Sequence, residues 1–228
     1  MPVVFYPRHG DRDSPPKTLI RGGGPGAEPC SLTPEGVRQA MKLGDMLSNF
    51  KVDLLVTSPL TRAYYTADLI KYRYYKNTGR TLTIVPEPLL AERLSDKLDN
   101  GPIPNNMSVP DFLRDQARRG YPDIEPFDAM KRRVSRFLSE LYPERRATKV
   151  VVAVTHKDVI HAAVSLATGM SELDPELDPG VPQGSLTAIS YTPKVRLHTD
   201  QQVVRLFGAT ELTPLSINSL KSIIRRAA

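Results

Sequence analysis

The chain has 228 residues, and its 31 Lys and Arg against 25 Asp and Glu give a net charge of +6. This length and an ordinary globular composition predict one large domain, while the single cysteine, Cys30, excludes an internal disulfide. No apolar run approaches the roughly 18 residues of a membrane span, and residues 1–10 lack a secretory signal, so we expect a cytoplasmic protein. The basic excess leaves nucleic acid, a membrane surface and a phosphorylated substrate open as partners.

Short apolar runs rich in β-branched residues recur along the chain and predict strands. They lie at residues 3–6, 53–57, 82–85 and 150–154, with two later runs at residues 185–191 and 203–207. The first four runs are nearly continuous in apolar residues rather than alternating with polar ones. Such runs are typical of strands that are buried on both faces of a parallel sheet.

Segments with apolar residues spaced three and four apart separate the runs and predict amphipathic helices. They lie at residues 34–50, 59–74, 127–141, 158–168 and 215–226. Thr33 before Pro34, and Ser58 before Pro59, have the pattern of an N-cap followed by proline at the first helical position. Strands that alternate with helices predict an α/β fold with a mostly parallel central sheet flanked by helices.

Two segments do not fit this alternation. Residues 13–31 contain three successive glycines among prolines and predict a long loop. Residues 86–126 contain seven prolines and predict an insertion over the active edge of the sheet, with a short helix near residues 109–119. We therefore expect a single domain over residues 1–228 with this insertion inside it.

Basic residues and histidines follow the predicted strands. Arg8 and His9 come directly after the first strand with Arg12 close behind, Arg62 follows the second strand, and His156 follows the run at residues 150–154. Because ligands of open α/β sheets bind beyond the carboxyl ends of the strands, these side chains are expected to converge. Arginine forks suit a doubly charged phosphoryl group. A histidine among arginines stays neutral, and a neutral imidazole is a nucleophile toward phosphorus.

Carboxylates follow the third strand, where Glu87 and Glu92 lie. A carboxylic acid at the rim of the site would protonate a leaving oxygen and later activate water. Other polar residues are assigned structural roles. We expect His161 to be a structural histidine, and we assign the arginine pairs at residues 132–133, 145–146 and 225–226 to solvated faces.

Four blocks of sequence resemble the histidine phosphatase superfamily, which has the phosphoglycerate-mutase-like fold. They are Arg8-His9-Gly10, Leu32-Thr33-Pro34-Glu35-Gly36, Ser58-Pro59-Leu60-Thr61-Arg62-Ala63 with Thr66-Ala67 following, and Thr155-His156. Their order and spacing agree with the superfamily over about residues 3–191. Within it, Arg12 resembles the second arginine of the T-cell-signalling suppressor and steroid-phosphate phosphatases.

The resemblance implies a metal-independent phosphomonoester hydrolase, a histidine acid-type phosphatase that needs no cofactor and no metal ion. His9 would be the nucleophile and would form a phosphohistidine intermediate. Arg8, Arg12, Arg62 and His156 would bind the phosphoryl oxygens, and protein cations would replace a metal in stabilising the transition state. The substrate would be a phosphorylated small molecule or a phosphoprotein, with neither a membrane nor nucleic acid as partner, and a homodimer is left open.

Glu92 is the expected proton donor, and Glu87 and Asp11 are the alternatives. The predicted catalytic residues are therefore His9, Glu92 and His156. Two other functions compete with hydrolysis. A phosphoglycerate-type mutase is one, but such mutases usually have a Glu-Ser or Glu-Thr and then a Trp-Asn run after the histidine, which this chain does not have. A non-catalytic module that recognises phosphate is the other.

Overall fold

A computed structural model describes residues 3–12, 32–92, 125, 127–144, 150–169, 180–192 and 201–226. The strands are β1 (Val3–Pro7), β2 (Leu54–Thr57), β3 (Ile84–Pro86), β4 (Val150–Val154), β5 (Leu186–Thr192) and β6 (Gln201–Ala209). The helices are α1 (Pro34–Leu47), α2 (Thr61–Thr78), α3 (Phe127–Glu144), α4 (Lys157–Thr168) and α5 (Pro214–Arg226), and a 3₁₀ helix (Pro88–Leu90) follows β3.

The six strands form one sheet in the order β3-β2-β4-β1-β5-β6. β1 pairs in parallel with β4, and β2 pairs in parallel with β3 and β4. Only the last two strands reverse direction, because β5 is antiparallel to β1 and β6 is antiparallel to β5. The predicted α/β fold with a mostly parallel central sheet flanked by helices is therefore confirmed. This order also places the carboxyl ends of β1, β4 and β2 side by side.

Helices cover both faces of the sheet. On one face, Val4 of β1 shares a buried cluster with Ile160 of α4 and with residues of α3. On the other face, Phe5 of β1 shares a second cluster with Ile70 of α2 and with residues of α1 and α5. Successive β1 residues enter opposite clusters, so each of them is buried. This explains why the run of apolar residues in β1 is continuous.

The predicted N-cap of α1 is confirmed, whereas that of α2 is wrong. Thr33 Oγ1 accepts a hydrogen bond from Gly36 N–H at 3.0 Å. α2 begins only at Thr61, and its N-cap residue, Leu60, is extended with φ -69° and ψ 136°. Ser58 Oγ accepts from Leu60 N–H at 3.3 Å. Ser58 therefore begins a turn that precedes the helix.

The assignment of Arg133 to a solvated face is also wrong. Its side chain is only 11% exposed and pairs with Glu125, which is 8% exposed. The helical spacing explains the burial, because Arg133 lies three residues after Met130 and four before Phe137, and both of these apolar residues are buried. Arg133 thus lies on the buried stripe of α3.

Several predictions lie outside the described residues. They concern the loop at residues 13–31 with Cys30, the short helix at residues 109–119, and residues 93–124 and 126 of the insertion predicted at residues 86–126. The described part of that insertion comprises the end of β3, the 3₁₀ helix, the residues up to Glu92, and Glu125. The single domain with an insertion stays a prediction. Among the described residues, no helix is long and apolar enough to cross a membrane.

Candidate active site

The segments that follow β1 and β4 hold two histidines side by side. His9 N–H donates to the Thr155 carbonyl at 3.0 Å, and Arg8 N–H donates to the Ser185 carbonyl at 2.9 Å. These bonds fix the chain after β1 between its two neighbours in the sheet. The ring centroids of His9 and His156 lie 5.1 Å apart, and both residues are buried.

The hydrogen bonds of His9 define which ring nitrogen carries the proton. Nδ1 lies 2.8 Å from the Gly10 carbonyl oxygen, and a carbonyl can only accept, so Nδ1 donates. In the neutral ring, Nε2 is therefore the nitrogen with the free lone pair. Arg62 Nε–H lies 3.3 Å from this nitrogen and donates to it. The lone pair thus faces the interior of the site, next to a cation.

The surroundings of His9 keep the imidazole neutral. Burial lowers the pKa of His9 well below its ordinary value, and the charges of Arg62, Arg8 and Arg12 lower it further, against an opposing effect of the Gly10 hydrogen bond. A charged imidazole would lose its hydration and would face these guanidinium groups. A neutral His9, with a lone pair on Nε2, is the form that can attack phosphorus.

Arg62 enters the site from the first turn of α2 and is 4% exposed. The first turn of α2 contains no acidic residue. Thr66, one turn later, donates from Oγ1 to the Arg62 carbonyl at 2.7 Å, and the same Oγ1 accepts from Gly10 N–H at 3.0 Å. Thr66 therefore links the helix that presents Arg62 to the loop that presents His9.

A hydroxyl group that the sequence assigns first to a helix cap, and only second to a functional contact, contacts the second histidine. Ser58 Oγ lies 2.7 Å from His156 Nε2, and Ser58 is fully buried. Burial lowers the pKa of His156 well below its ordinary value, and the charge of Arg62 adds to this effect. The position of Ser58 directly after β2 was a signal for this contact, because the other site residues also follow strands.

Glu92 is the carboxylate that the structure brings beside the histidines. Its Oε2 lies 3.5 Å from His156 Nδ1, and its side chain is 23% exposed. His156 Nδ1 is buried and forms no hydrogen bond to any described atom. A polar ligand atom that binds beside both residues could therefore contact a Glu92 carboxyl oxygen and the His156 ring nitrogen at the same time.

The two alternative carboxylates are engaged elsewhere. Glu87 caps the 3₁₀ helix, because its Oε1 accepts from Leu89 N–H at 2.9 Å, and burial raises its pKa. Asp11 Oδ2 accepts from Thr33 Oγ1 at 2.8 Å, at the start of α1. Of the three acids, Glu92 is the one found against a site histidine.

Arg8 and Arg12 lie at the edge of the site and are half-buried. The Arg8 guanidinium donates to the Val181 carbonyl. Arg12 pairs with Leu32 in an isolated antiparallel bridge. Both arginines are close enough for their charge to lower the pKa of His9.

Two glycines set the distance between α1 and the His9 loop. A Cβ atom on Gly36 would lie 1.9 Å from the Asp11 carbonyl oxygen, and one on Gly10 would lie 2.4 Å from the Gly36 carbonyl oxygen. Only hydrogen side chains fit between these backbones. The two glycines therefore let the His9 loop lie directly against the first turn of α1.

The site favours an anion over a metal ion. His9, Glu92 and His156 form a group of potential ligands with atoms within 4.8 Å of one another. However, the guanidinium group of Arg62 lies 3.3 Å from His9 Nε2, and the charges of Arg62 and Arg8 lower the pKa of both histidines. A divalent cation would be repelled by these guanidinium groups, whereas a phosphoryl group would be attracted.

Comparison with known proteins identifies the family. The profile of the histidine phosphatase superfamily (branch 1) matches residues 4–200 of the chain. The chain belongs to this superfamily. The matched range contains both site histidines, Arg62 and Glu92, so the family resemblance rests on the same part of the chain as the site. The roles of the individual residues stay predictions.

Relatives of this histidine phosphatase superfamily member include phosphatases and a mutase. It is 30% identical over 181 residues to the uncharacterised phosphatase PhoE of Bacillus subtilis (strain 168), covering 78% of this chain and 81% of that protein. It is 26% identical over 185 residues to the 2,3-bisphosphoglycerate-dependent phosphoglycerate mutase of Cytophaga hutchinsonii, covering 77% and 80%. A solved structure of mycobacterial glucosyl-3-phosphoglycerate phosphatase has a similar fold, with a TM-score of 0.64 at 20% identity over 92% of this chain and 99% of that one.

Membership of the histidine phosphatase superfamily therefore identifies an enzyme of phosphatase or mutase type. The predicted superfamily is confirmed. The comparisons do not extend to the second-arginine subgroup, which stays a prediction based on Arg12.

Proposed function

We propose that this protein is a metal-independent phosphomonoester hydrolase that acts through a phosphohistidine on His9. One observation carries the proposal: the Nδ1–H of His9 is fixed on the Gly10 carbonyl, so the lone pair of Nε2 faces Arg62 at 3.3 Å. This is the arrangement that a nucleophilic imidazole requires when its target carries negative charge.

In the first half of the reaction, His9 Nε2 attacks the phosphorus atom of the substrate. A bond forms between nitrogen and phosphorus, and the bond between phosphorus and the ester oxygen breaks. A protonated Glu92 gives its proton to that oxygen, so the alcohol leaves as a neutral molecule. Arg8 and Arg62 compensate the charge of the three remaining phosphoryl oxygens.

In the second half, water replaces the departed alcohol. The Glu92 carboxylate takes a proton from the water as its oxygen attacks phosphorus, and the bond between phosphorus and His9 Nε2 breaks. Inorganic phosphate leaves, and both residues return to their starting protonation states. The net reaction is hydrolysis of one ester bond by one water molecule.

His156 is proposed to donate a hydrogen bond to a phosphoryl oxygen. In this proposal the Ser58 hydroxyl group accepts from Leu60 N–H and donates its own proton to His156 Nε2, at 2.7 Å. A neutral His156 that accepts from Ser58 carries its proton on Nδ1, the nitrogen near Glu92. That N–H would then point to the phosphoryl group.

Arg12 is proposed to add a further cation at the rim, as in the second-arginine group. Its effect on the pKa of His9 supports a position near the phosphoryl group. Arg12→Ala should lower kcat/KM by about fivefold, since a rim charge in contact with solvent contributes about 1 kcal/mol. The expected substrates are phosphorylated small molecules or phosphoproteins of the cytoplasm.

A panel of phosphomonoesters tests the proposal, assayed in EDTA with the wild type and His9→Ala. The wild type should release inorganic phosphate, and quenched reactions should contain protein that carries one base-stable, acid-labile phosphoryl group. His9→Ala should lose both signals. His161→Gln is the matched control, because His161 is also buried but stacks on Phe207, at 6.5 Å between ring centroids.

Three outcomes would contradict the proposal. Equal turnover by the wild type and His9→Ala would exclude His9 as nucleophile. Transfer of phosphate between phosphoglycerates without net release would identify a mutase. Binding of phosphorylated ligands without any turnover would identify a recognition module.

A further inference from the structure

A largely buried arginine outside the phosphate site holds the segment that ends at Glu92. Arg133 of α3 donates from Nη1 to the Leu89 carbonyl at 2.6 Å and from Nη2 to the Glu92 carbonyl at 3.3 Å. One guanidinium group thus binds both the 3₁₀ helix and the backbone of the acid itself. We name residues 87–92 the acid segment.

Other parts of the site hold the same segment. Glu87 N–H donates to the Thr57 carbonyl at 2.8 Å. Thr155 Oγ1, directly before His156, donates to the Leu90 carbonyl at 2.7 Å. The acid segment is therefore fixed at its start and middle by the ends of β2 and β4, and at its end by Arg133.

Glu125 holds Arg133 in place through a two-pronged ion pair. Arg133 Nε lies 2.8 Å from Glu125 Oε1, and Arg133 Nη2 lies 2.9 Å from Oε2. The side chains are only 11% and 8% exposed. A buried ion pair costs much of its attraction in lost hydration, so stability alone is a weak reason for it. The same guanidinium group also donates hydrogen bonds to two backbone carbonyls, which gives the ion pair a second role in holding the acid segment.

The guanidinium group of Arg133 also lies near the second histidine. Its charge is one of the causes that lower the pKa of His156. Lysine could supply the charge, but its single ammonium group lacks the planar fork that binds Glu125 and two carbonyls at once. Arg133 is therefore suited to fixing geometry.

We propose that Arg133, held by Glu125, is a positioning residue that keeps the Glu92 carboxyl group at the leaving oxygen of the substrate. This inference rests on the proposed function, because it assigns Arg133 to the proton transfer by Glu92. In this role Arg133 acts through the backbone of the acid segment, to which it donates its hydrogen bonds, rather than through a bond to the reacting groups.

The test compares two substrates that differ in their need for an acid. Phenyl phosphate has a poor leaving group that must be protonated, whereas 2,4-dinitrophenyl phosphate has a leaving group that departs without a proton. Arg133→Lys should lower kcat/KM for phenyl phosphate at least tenfold, and for 2,4-dinitrophenyl phosphate less than threefold. Arg136→Lys is the matched control, because Arg136 lies one turn further along α3 in an exposed pair with Glu140.

The same variant should show a burst of dinitrophenol in the first turnover. With 2,4-dinitrophenyl phosphate, phosphorylation of His9 needs no acid, but hydrolysis of the phosphohistidine still needs Glu92 as base. If Arg133→Lys does not fold, the double variant Arg133→Met with Glu125→Gln removes both charges and keeps the side-chain volumes. That variant should give the same difference between substrates.

The outcomes separate this inference from the proposed function. Equal losses on the two substrates, or wild-type rates on both, in a folded variant would overturn the positioning role. Turnover by His9→Ala would instead overturn the proposed function, whatever Arg133 does. A burst in Arg133→Lys that is absent in Arg136→Lys would support the inference.

Discussion

Replacing Gly36 by alanine tests whether α1 sets the position of the His9 loop. The new Cβ atom would lie 1.9 Å from the Asp11 carbonyl oxygen, whereas real Cβ atoms essentially never come closer than 3.0 Å. The helix and the loop must therefore separate by about 1.1 Å, the difference between these two distances. Asp11 is two residues from His9, so the nucleophile is expected to move with it.

A displacement of this size should affect the rate more than the stability. A misplacement of about 1 Å in a reacting group costs about a hundredfold in rate. Overpacking costs about 1–3 kcal/mol of folding free energy, and alanine recovers about 1 kcal/mol because it favours a helix more than glycine does. We expect Gly36→Ala to stay folded and to lose about a hundredfold in kcat/KM.

The assay is hydrolysis of p-nitrophenyl phosphate, with the unfolding midpoint measured in parallel. Gly169→Ala is the control, because Gly169 has φ +74° and nothing within 4 Å of its added Cβ. That change should lower stability by about 1 kcal/mol without lowering the rate. A kcat/KM of Gly36→Ala within twofold of the wild type would refute the reasoning.

Three further predictions concern hydrogen bonds and protonation. Ser58→Ala should lower kcat/KM for p-nitrophenyl phosphate about five- to tenfold, because one hydrogen bond to His156 is lost. An unchanged rate would show that this bond has no role in function. Thr66→Val should lower kcat/KM by a similar factor, because Gly10 N–H loses its acceptor. NMR titration of the four histidines should show that His9 and His156 take up a proton only below pH 6.5, because their pKa values are lowered. If either residue took up its proton at or above pH 6.5, the charge arrangement described for the site would be contradicted.

The sign of the histidine shifts also predicts how stability depends on pH. The unfolded chain takes up protons on these two residues near pH 6.5, while the folded protein does so only at lower pH. Stability from this source is therefore complete above pH 6.5 and decreases as the pH falls below it. In urea unfolding between pH 7 and pH 5, His156→Gln should have a shallower pH dependence than the wild type, and an equal slope would contradict this assignment.

Most of the fold could be predicted because its central strands β1, β2 and β4 are buried on both sides. The run at residues 150–154 is apolar throughout, and β4 occupies the same residues. The start of α2 could not be read in the same way. Ser58 followed by Pro59 has the local pattern of an N-cap, but the hydroxyl group of Ser58 is bonded to His156, 98 residues away. The N-cap pattern does not reveal this contact, whereas the position of Ser58 directly after a strand does indicate it.

The predicted site residues converge because they share one position, the end of a strand. That rule alone predicts that His9, Arg62 and His156 lie together. It could not find Arg133, which lies inside a helix and reaches the acid segment through backbone carbonyls. The helical periodicity did contain a hint, since Arg133 falls on the apolar stripe of α3.

The position of β1 inside the sheet affects how the protein folds during synthesis. β1 is synthesised before the other strands, yet it pairs on one edge with β4 and on the other with β5. The edge of β1 that pairs with β4 stays without its native partner until the residues up to Val154 have been made, and the edge that pairs with β5 stays so until the residues up to Thr192 have been made. Unpaired apolar edges promote aggregation. Chains that stop before β5 should therefore aggregate, and phosphatase activity would report that the C-terminal strands have docked.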